Sequence, residues 1–199
     1  MLYFVFVVLI GPIVLLLWPT RVINKKNRPK RGAVICCNHY SLPDPLIVGM
    51  HILRRLRYVI KKEFAKNIFG KFFVWGIGSV TVDRGKADLK ALRKMLNLLK
   101  AGKALMMFPE GHRNRGGEDG GMLELRNGAV MLAAKTRVPI VPAAFLKKPR
   151  YFRRNYLAYG EPLEFPELYG VPLTKDKLDA ASRRLAESME RLKKTEVGK

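Results

Sequence analysis

Residues 33 to 45 read Ala33-Val34-Ile35-Cys36-Cys37-Asn38-His39-Tyr40-Ser41-Leu42-Pro43-Asp44-Pro45. The apolar run Ala33 to Cys37 has the composition of a buried strand, and Asn38-His39 ends it with turn chemistry. A helix from Asp44 to about Leu53 follows, with Asp44 as N-cap and Pro45 at the first helical position, where a missing N–H costs nothing. His39 and Asp44 would lie about 140° apart on an ideal helix, so they can meet only across a turn. The turn at Pro43 lets the carboxylate reach one imidazole nitrogen and leaves the other able to accept a proton. The plain alternative is a surface histidine and an aspartate that merely caps its helix.

Outward from this segment the chain alternates strand and helix patterns. Tyr58 to Ile60, Ser79 to Val82, Leu105 to Phe108 and Ile140 to Phe145 read as strands. Leu89, Leu92, Met95, Leu96 and Leu99 recur at helical spacing, with Gly102 as the C-terminal stop. Asn127 to Lys135 and about Lys175 to Lys194 read as further helices, the latter with Leu178, Leu185, Met189 and Leu192 near one face. Gly111 to Gly121 must be a loop. Phe64 to Ile77, rich in Phe, Trp and Ile, is read as core in preference to a membrane-facing surface. The alternation predicts an α/β fold, a mixed and mostly parallel sheet flanked by helices.

Three further segments deliver polar groups at strand ends, where α/β sheets bind ligands. In Phe108-Pro109-Glu110-Gly111-His112-Arg113, Glu110 can accept hydrogen bonds from substrate hydroxyls and Gly111 permits close backbone approach. Arg113 can grip a phosphate with two parallel donors. Gly78-Ser79-Val80-Thr81-Val82-Asp83-Arg84 ends on a charged pair that by itself reads as a surface ion pair. Val138-Pro139-Ile140-Val141-Pro142 is an apolar segment bracketed by prolines, a pattern of strand starts and edges.

Composition bounds the partners. The chain has 199 residues, and 38 Lys and Arg against 16 Asp and Glu give a net charge of +22, which suits anionic lipid, phosphorylated substrates or nucleic acid. Met1 to Trp18 carries no charge and is nearly all apolar. As a straight helix it would reach roughly 27 Å against a hydrocarbon core of about 30 Å. Gly11-Pro12 can kink this segment or divide it into two pieces lying within one leaflet, and the sequence does not choose. Residues 1–20 are therefore expected to be a hydrophobic membrane-anchoring helix and residues 21–199 a single domain. No basic leader precedes the apolar run and no small-residue cleavage site follows it, so a secretory signal is disfavoured. Arg21, Lys25, Lys26, Arg28, Lys30 and Arg31 follow without an intervening acid, which predicts the cytoplasmic face of the cell membrane and contact with an anionic surface. Cys36 and Cys37 are adjacent on a strand and point to opposite faces, as reduced thiols do. His39, His51 and His112 lack metal-ligand spacing. Basic clusters at Arg54-Arg55-Arg57 and Lys147-Lys148-Arg150 accompany an apolar terminus, without a nucleic-acid recognition motif.

In order and interval, the four motifs resemble those of the glycerophospholipid acyltransferase family, especially its bacterial 1-acylglycerol-3-phosphate acyltransferases, over roughly residues 30 to 145. The resemblance implies that His39 and Asp44 form a catalytic dyad, that Arg84 binds phosphate, and that Glu110, Gly111 and Arg113 hold the acyl acceptor. It implies that Val138 to Pro142 shapes the donor site. The implied donor is acyl-coenzyme A or acyl-carrier protein, the implied acceptor lysophosphatidic acid and the product phosphatidic acid, with no cofactor. His112 and Asn114 stand where the family commonly has threonine and serine, which bears on the acceptor and leaves the dyad untouched.

The expected chemistry is proton removal from the acceptor hydroxyl by His39 as the oxygen attacks the thioester, with backbone amides near Asn38 to Ser41 as candidates for polarising the carbonyl. Three alternatives stand beside it. The acceptor could be glycerol 3-phosphate or another lysolipid, Cys37 could take the acyl group covalently, or the chain could be a non-enzymatic module binding anionic membranes.

Overall fold

The computed structural model describes residues 2–52, 54–66, 68–83, 88–114, 116 and 122–196. Its helices are α1 (Leu2–Leu17), α2 (Asp44–Met50), α3 (Ile68–Ile77), α4 (Leu89–Lys100), α5 (Gly128–Thr136) and α6 (Lys175–Lys193). Its strands are β1 (Thr20–Ile23), β2 (Ala33–Cys37), β3 (Leu56–Lys61), β4 (Val80–Val82), β5 (Ala104–Met107), β6 (Ile140–Phe145) and β7 (Asn155–Tyr159). They form one seven-stranded sheet in the order β1-β7-β6-β2-β5-β3-β4. Every pairing is parallel except β6 with β7.

β2 lies at the centre, paired with β5 on one side and β6 on the other, and all of its residues are buried. A central parallel strand covered on both faces has no solvent side, hence its uninterrupted apolar run. Side chains alternate between two cores. Ile35 and Cys37 pack with Val14, Trp18, Ile47 and Ile77 from the side of α1, α2 and α3. Val34 and Cys36 pack with Leu99, Leu132, Leu185 and Met189 from the side of α4, α5 and α6. The two thiols are thus unpaired and face opposite layers. The Pro142 carbonyl accepts the Gly160 N–H at 2.8 Å, and its missing N–H falls at the end of the β7 ladder, which begins at Ala143.

The mixed, mostly parallel α/β architecture matches the sequence expectation, with differences that have physical causes. β1 and β7 were not legible: β1 buries only Val22, and the two strands run parallel to each other but opposite to the other five. In the aromatic segment before β4, Ile77 is buried but Phe64, Ile68 and Trp75 are exposed, so an important part of it faces outward and not into the core. Residues 1–18 are helical from Leu2 to Leu17, with Pro12 inside the helix. No helix among the described residues is long and apolar enough to cross a membrane. α1 packs against α2 and α3 while Val8, Leu9, Ile13 and Leu16 stay exposed.

One side chain joins the functional end of β2 to β6. Asn38, buried, accepts the Phe145 N–H at 2.8 Å and donates to the Phe145 carbonyl at 3.0 Å. It therefore does for one residue beyond the strand what a backbone ladder would do. Replacing Asn38 by Ala leaves both Phe145 groups unpaired in the interior. That change should cost about 2–4 kcal/mol in denaturant unfolding.

Candidate functional site

The β2 end delivers His39 to the rim of the sheet, and the turn through Pro43 returns the chain so that Asp44 opens α2 beneath it. His39 Nδ1 and Asp44 Oδ2 are 2.9 Å apart, with Asp44 fully buried and the histidine side chain 15% exposed. The same Oδ2 accepts the Tyr40 N–H at 2.6 Å and the Ser41 N–H at 2.7 Å, and Oδ1 accepts the Ser41 hydroxyl. Asp44 is accordingly not the N-cap of α2, a place taken by Pro43. Its oxygens turn back to the donors of the preceding turn, which hold a carboxylate more strongly than one capping bond would. With Nδ1 engaged, His39 Nε2 is the nitrogen left to meet a substrate.

Phe108 stacks on the imidazole with ring centroids 3.9 Å apart, fixing its plane. Past β5 the chain turns at Pro109 and Glu110. Glu110 is 2% exposed, and its Oε1 accepts the His39 N–H at 3.2 Å. Burial pushes its carboxyl above the usual carboxylate range, against the lowering effect of the His39 and Leu123 backbone N–H groups and of Lys193. Gly111 has φ of 78°, a conformation that disfavours any other residue, and a Cβ there would come within 2.6 Å of Arg126 Nε and displace that side chain. The Asn114 N–H donates to the His39 carbonyl at 2.7 Å, tying the third motif to the first.

These elements border a cavity of about 980 Å³. His39, Gly111, His112, Arg113 and Arg126 line its polar part. Leu42, Leu46, Ile60, Phe64, Ile77 and Met106, from the β3, α2 and α3 side, supply an apolar wall. A basic end joined to an apolar wall suits an amphipathic anion.

Of the residues singled out in the sequence, His39, Asp44, Glu110, Gly111 and Arg113 come together here, with Glu110 turned to the His39 backbone. Arg84 lies outside the described residues. Val138–Pro142 enters the sheet at the opposite end of β6, with Ile140 and Val141 buried in the core. The amides of His39, Tyr40 and Ser41 are spent on Glu110 and Asp44, so they do not serve as donors to a carbonyl. Arg126 escaped the sequence reading: it follows the glycine-rich loop without a motif around it, and only the fold brings it against Gly111. Asn38 escaped as well, because its partner Phe145 is 107 positions away.

An imidazole steadied by a buried acid at the strand ends, beside a deep cavity, puts the chain among the α/β enzymes. It belongs to the acyltransferase family, whose model matches residues 19–146. The chain is 31% identical to the 1-acyl-sn-glycerol-3-phosphate acyltransferase of Bacillus subtilis, over 86% of this chain and 87% of that protein. It is 28% identical to the yeast (Saccharomyces cerevisiae) enzyme of the same name, over 85% of this chain and 58% of that protein. Among solved structures, that of the 1-acyl-sn-glycerophosphate acyltransferase PlsC from Thermotoga maritima is similar, with a TM-score of 0.65 and 25% identity, covering 90% of this chain and 74% of that one.

The environment of Glu110 yields a prediction about pH. A carboxyl whose folded pKa is raised binds its proton more tightly in the native state, so its contribution is complete below its ordinary value of 4.5 and is lost as pH rises through the folded value. Glu110→Gln keeps an acceptor for the His39 N–H and has no charge to bury. Thermal melts from pH 4 to 8 should therefore show the wild type losing stability relative to the Gln variant as the pH increases.

Proposed function

We propose that this chain transfers an acyl group from a thioester, acyl-coenzyme A or acyl-carrier protein, to the sn-2 hydroxyl of 1-acylglycerol 3-phosphate, yielding phosphatidic acid. The observation that carries this reading is the 2.9 Å contact between His39 Nδ1 and Asp44, which leaves Nε2 at a cavity with both basic and apolar walls. Names of related proteins, 1-acyl-sn-glycerol-3-phosphate acyltransferases in bacteria and yeast, support the acceptor.

In this mechanism His39 Nε2 takes the proton of the acceptor hydroxyl as its oxygen attacks the thioester carbonyl. Asp44 keeps the tautomer that presents a lone pair at Nε2 and stabilises the imidazolium. When the tetrahedral adduct collapses, the thiolate leaves and takes the proton back from His39. Arg113 and Arg126 hold the acceptor phosphate, joined by Arg84 from the second motif, and the apolar wall takes an acyl chain. Gly111 allows the acceptor to approach the backbone, and Glu110 acts through the loop it holds. General-base catalysis of this kind supplies about 10²–10⁴-fold, and orientation of the two substrates supplies much of the remainder. Residues 1–20 serve as an anchor at the cytoplasmic face of the membrane, where the acceptor resides, and residues 21–199 carry the reaction. The exposed apolar side chains of α1 and the +22 charge support that placement.

A covalent route through Cys37 is disfavoured by its surroundings: the thiol is fully buried, and burial pushes its pKa well up, so almost no thiolate forms.

Purified protein given lysophosphatidic acid or glycerol 3-phosphate with each donor should make phosphatidic acid from the former, identified by mass. Formation of lysophosphatidic acid alone would assign the other acceptor. His39→Ala should lower turnover about 10²–10⁴-fold in a protein that still folds and binds lipid, with a lower melting temperature because buried Asp44 loses one of its donors. Cys37→Ala should keep turnover within about threefold, and its loss in a folded variant would reinstate the covalent route.

A further inference from the structure

The loop between β6 and β7 carries Lys147, Lys148, Arg150, Tyr151, Phe152, Arg153 and Arg154, with no acidic residue among them. Nothing in the reaction uses it. Tyr151 is 61% and Phe152 68% exposed, and Lys147, Lys148, Arg153 and Arg154 are exposed around them. The loop is built, not slack. Buried Asn155 accepts the Arg150 N–H at 2.8 Å and donates to the carbonyls of Arg150 at 3.1 Å and Arg153 at 2.9 Å, while its backbone N–H reaches the Pro19 carbonyl at 2.8 Å. The Phe152 N–H donates to the Leu17 carbonyl at 2.7 Å, and Tyr151 packs on Trp18 with centroids 4.5 Å apart.

Phe152 has φ of 52°, the left-handed region that a bulky side chain rarely adopts. Glycine would occupy that position without strain. A large aromatic ring is instead held out into solvent at a conformational cost, so the ring has a use beyond packing.

Position indicates the use. The loop leaves the end of β6 that Asn38 ties to the catalytic turn, so it stands on the same rim as His39. Its tip is joined to the end of α1, whose Val8, Leu9, Ile13 and Leu16 are exposed. Aromatic rings flanked by cations match the layered chemistry of a bilayer surface, where rings enter at headgroup level and the cations meet lipid phosphates.

We propose that residues 146–154 form a second docking surface for an anionic phospholipid bilayer, with Phe152 entering the interface and Lys147, Lys148, Arg153 and Arg154 on the headgroups. This extends the membrane placement argued above and rests on it. Vesicle binding is read without turnover, so it fails or stands separately from the acyl-transfer reading.

The test is co-sedimentation of the full chain with vesicles of phosphatidylcholine alone or mixed with phosphatidylglycerol, and a duplex DNA as competitor. Phe152→Gly should melt at the same or a higher temperature and bind mixed vesicles about tenfold more weakly. Converting Lys147, Lys148, Arg153 and Arg154 to Gln should remove about fivefold in affinity per cation on anionic vesicles and change little on neutral ones. Both variants should keep wild-type transfer to a short-chain acceptor dispersed as monomers. Wild-type vesicle binding by both variants would overturn the proposal. So would duplex DNA binding that is stronger than vesicle binding and lost with the four cations, which would make the loop a polynucleotide site.

Discussion

A carboxylate with no exposure to solvent organises the functional rim of this sheet. Stripping water from an ionised group is costly unless hydrogen bonds replace the lost hydration. Asp44 receives the His39 ring, two successive backbone N–H groups and the Ser41 hydroxyl, all from the turn immediately before it. The turn is consequently compelled to close around the carboxylate, and the closure sets the imidazole's position. Geometry that looks catalytic is also the condition under which that acid can be buried at all.

The same satisfaction has a chemical consequence. The donors that hold Asp44 and Glu110 are occupied within the fold, so the amides of His39, Tyr40 and Ser41 are not free to polarise a carbonyl. Two buried carboxyls, one on each side of the His39 backbone, make the rim stiff. Phe108 adds a ring against the imidazole, and Asn38 clamps the strand end below. Across the cavity, exposed Phe64 and Leu42 border the apolar wall.

Much of this was readable in the order of residues. β2 and β6 have the bounds that their apolar runs suggest, and α4 and α6 follow their leucine spacing to within a residue or so. These elements are buried on fixed faces, so local composition records their environment. The reading failed where partners are distant or burial is partial. β1 and β7 escaped because β1 buries only Val22, and β7 is defined by its pairing with β6 and, across a long stretch of chain, with β1. Asp44 fits the statistics of an N-cap, yet the pull of four donors outweighs one capping bond. Phe64 and Trp75 have core composition and an outward position, since composition alone does not say which side of a helix layer meets solvent or lipid.

By itself the sequence determined the α/β class, the buried strand Ala33–Cys37, the pairing of one histidine with one aspartate across a turn, and a basic, apolar-ended chain. Each of these depends on residues close together in the chain, where spacing and side-chain chemistry constrain geometry directly. The tertiary structure alone decided that Glu110 faces the His39 backbone, that Arg126 comes against Gly111, that Asn38 bridges to Phe145, and that the basic β6–β7 loop stands on the same rim as His39. Those contacts join positions far apart in sequence, and they exist only because the parallel sheet brings successive strand ends to one edge.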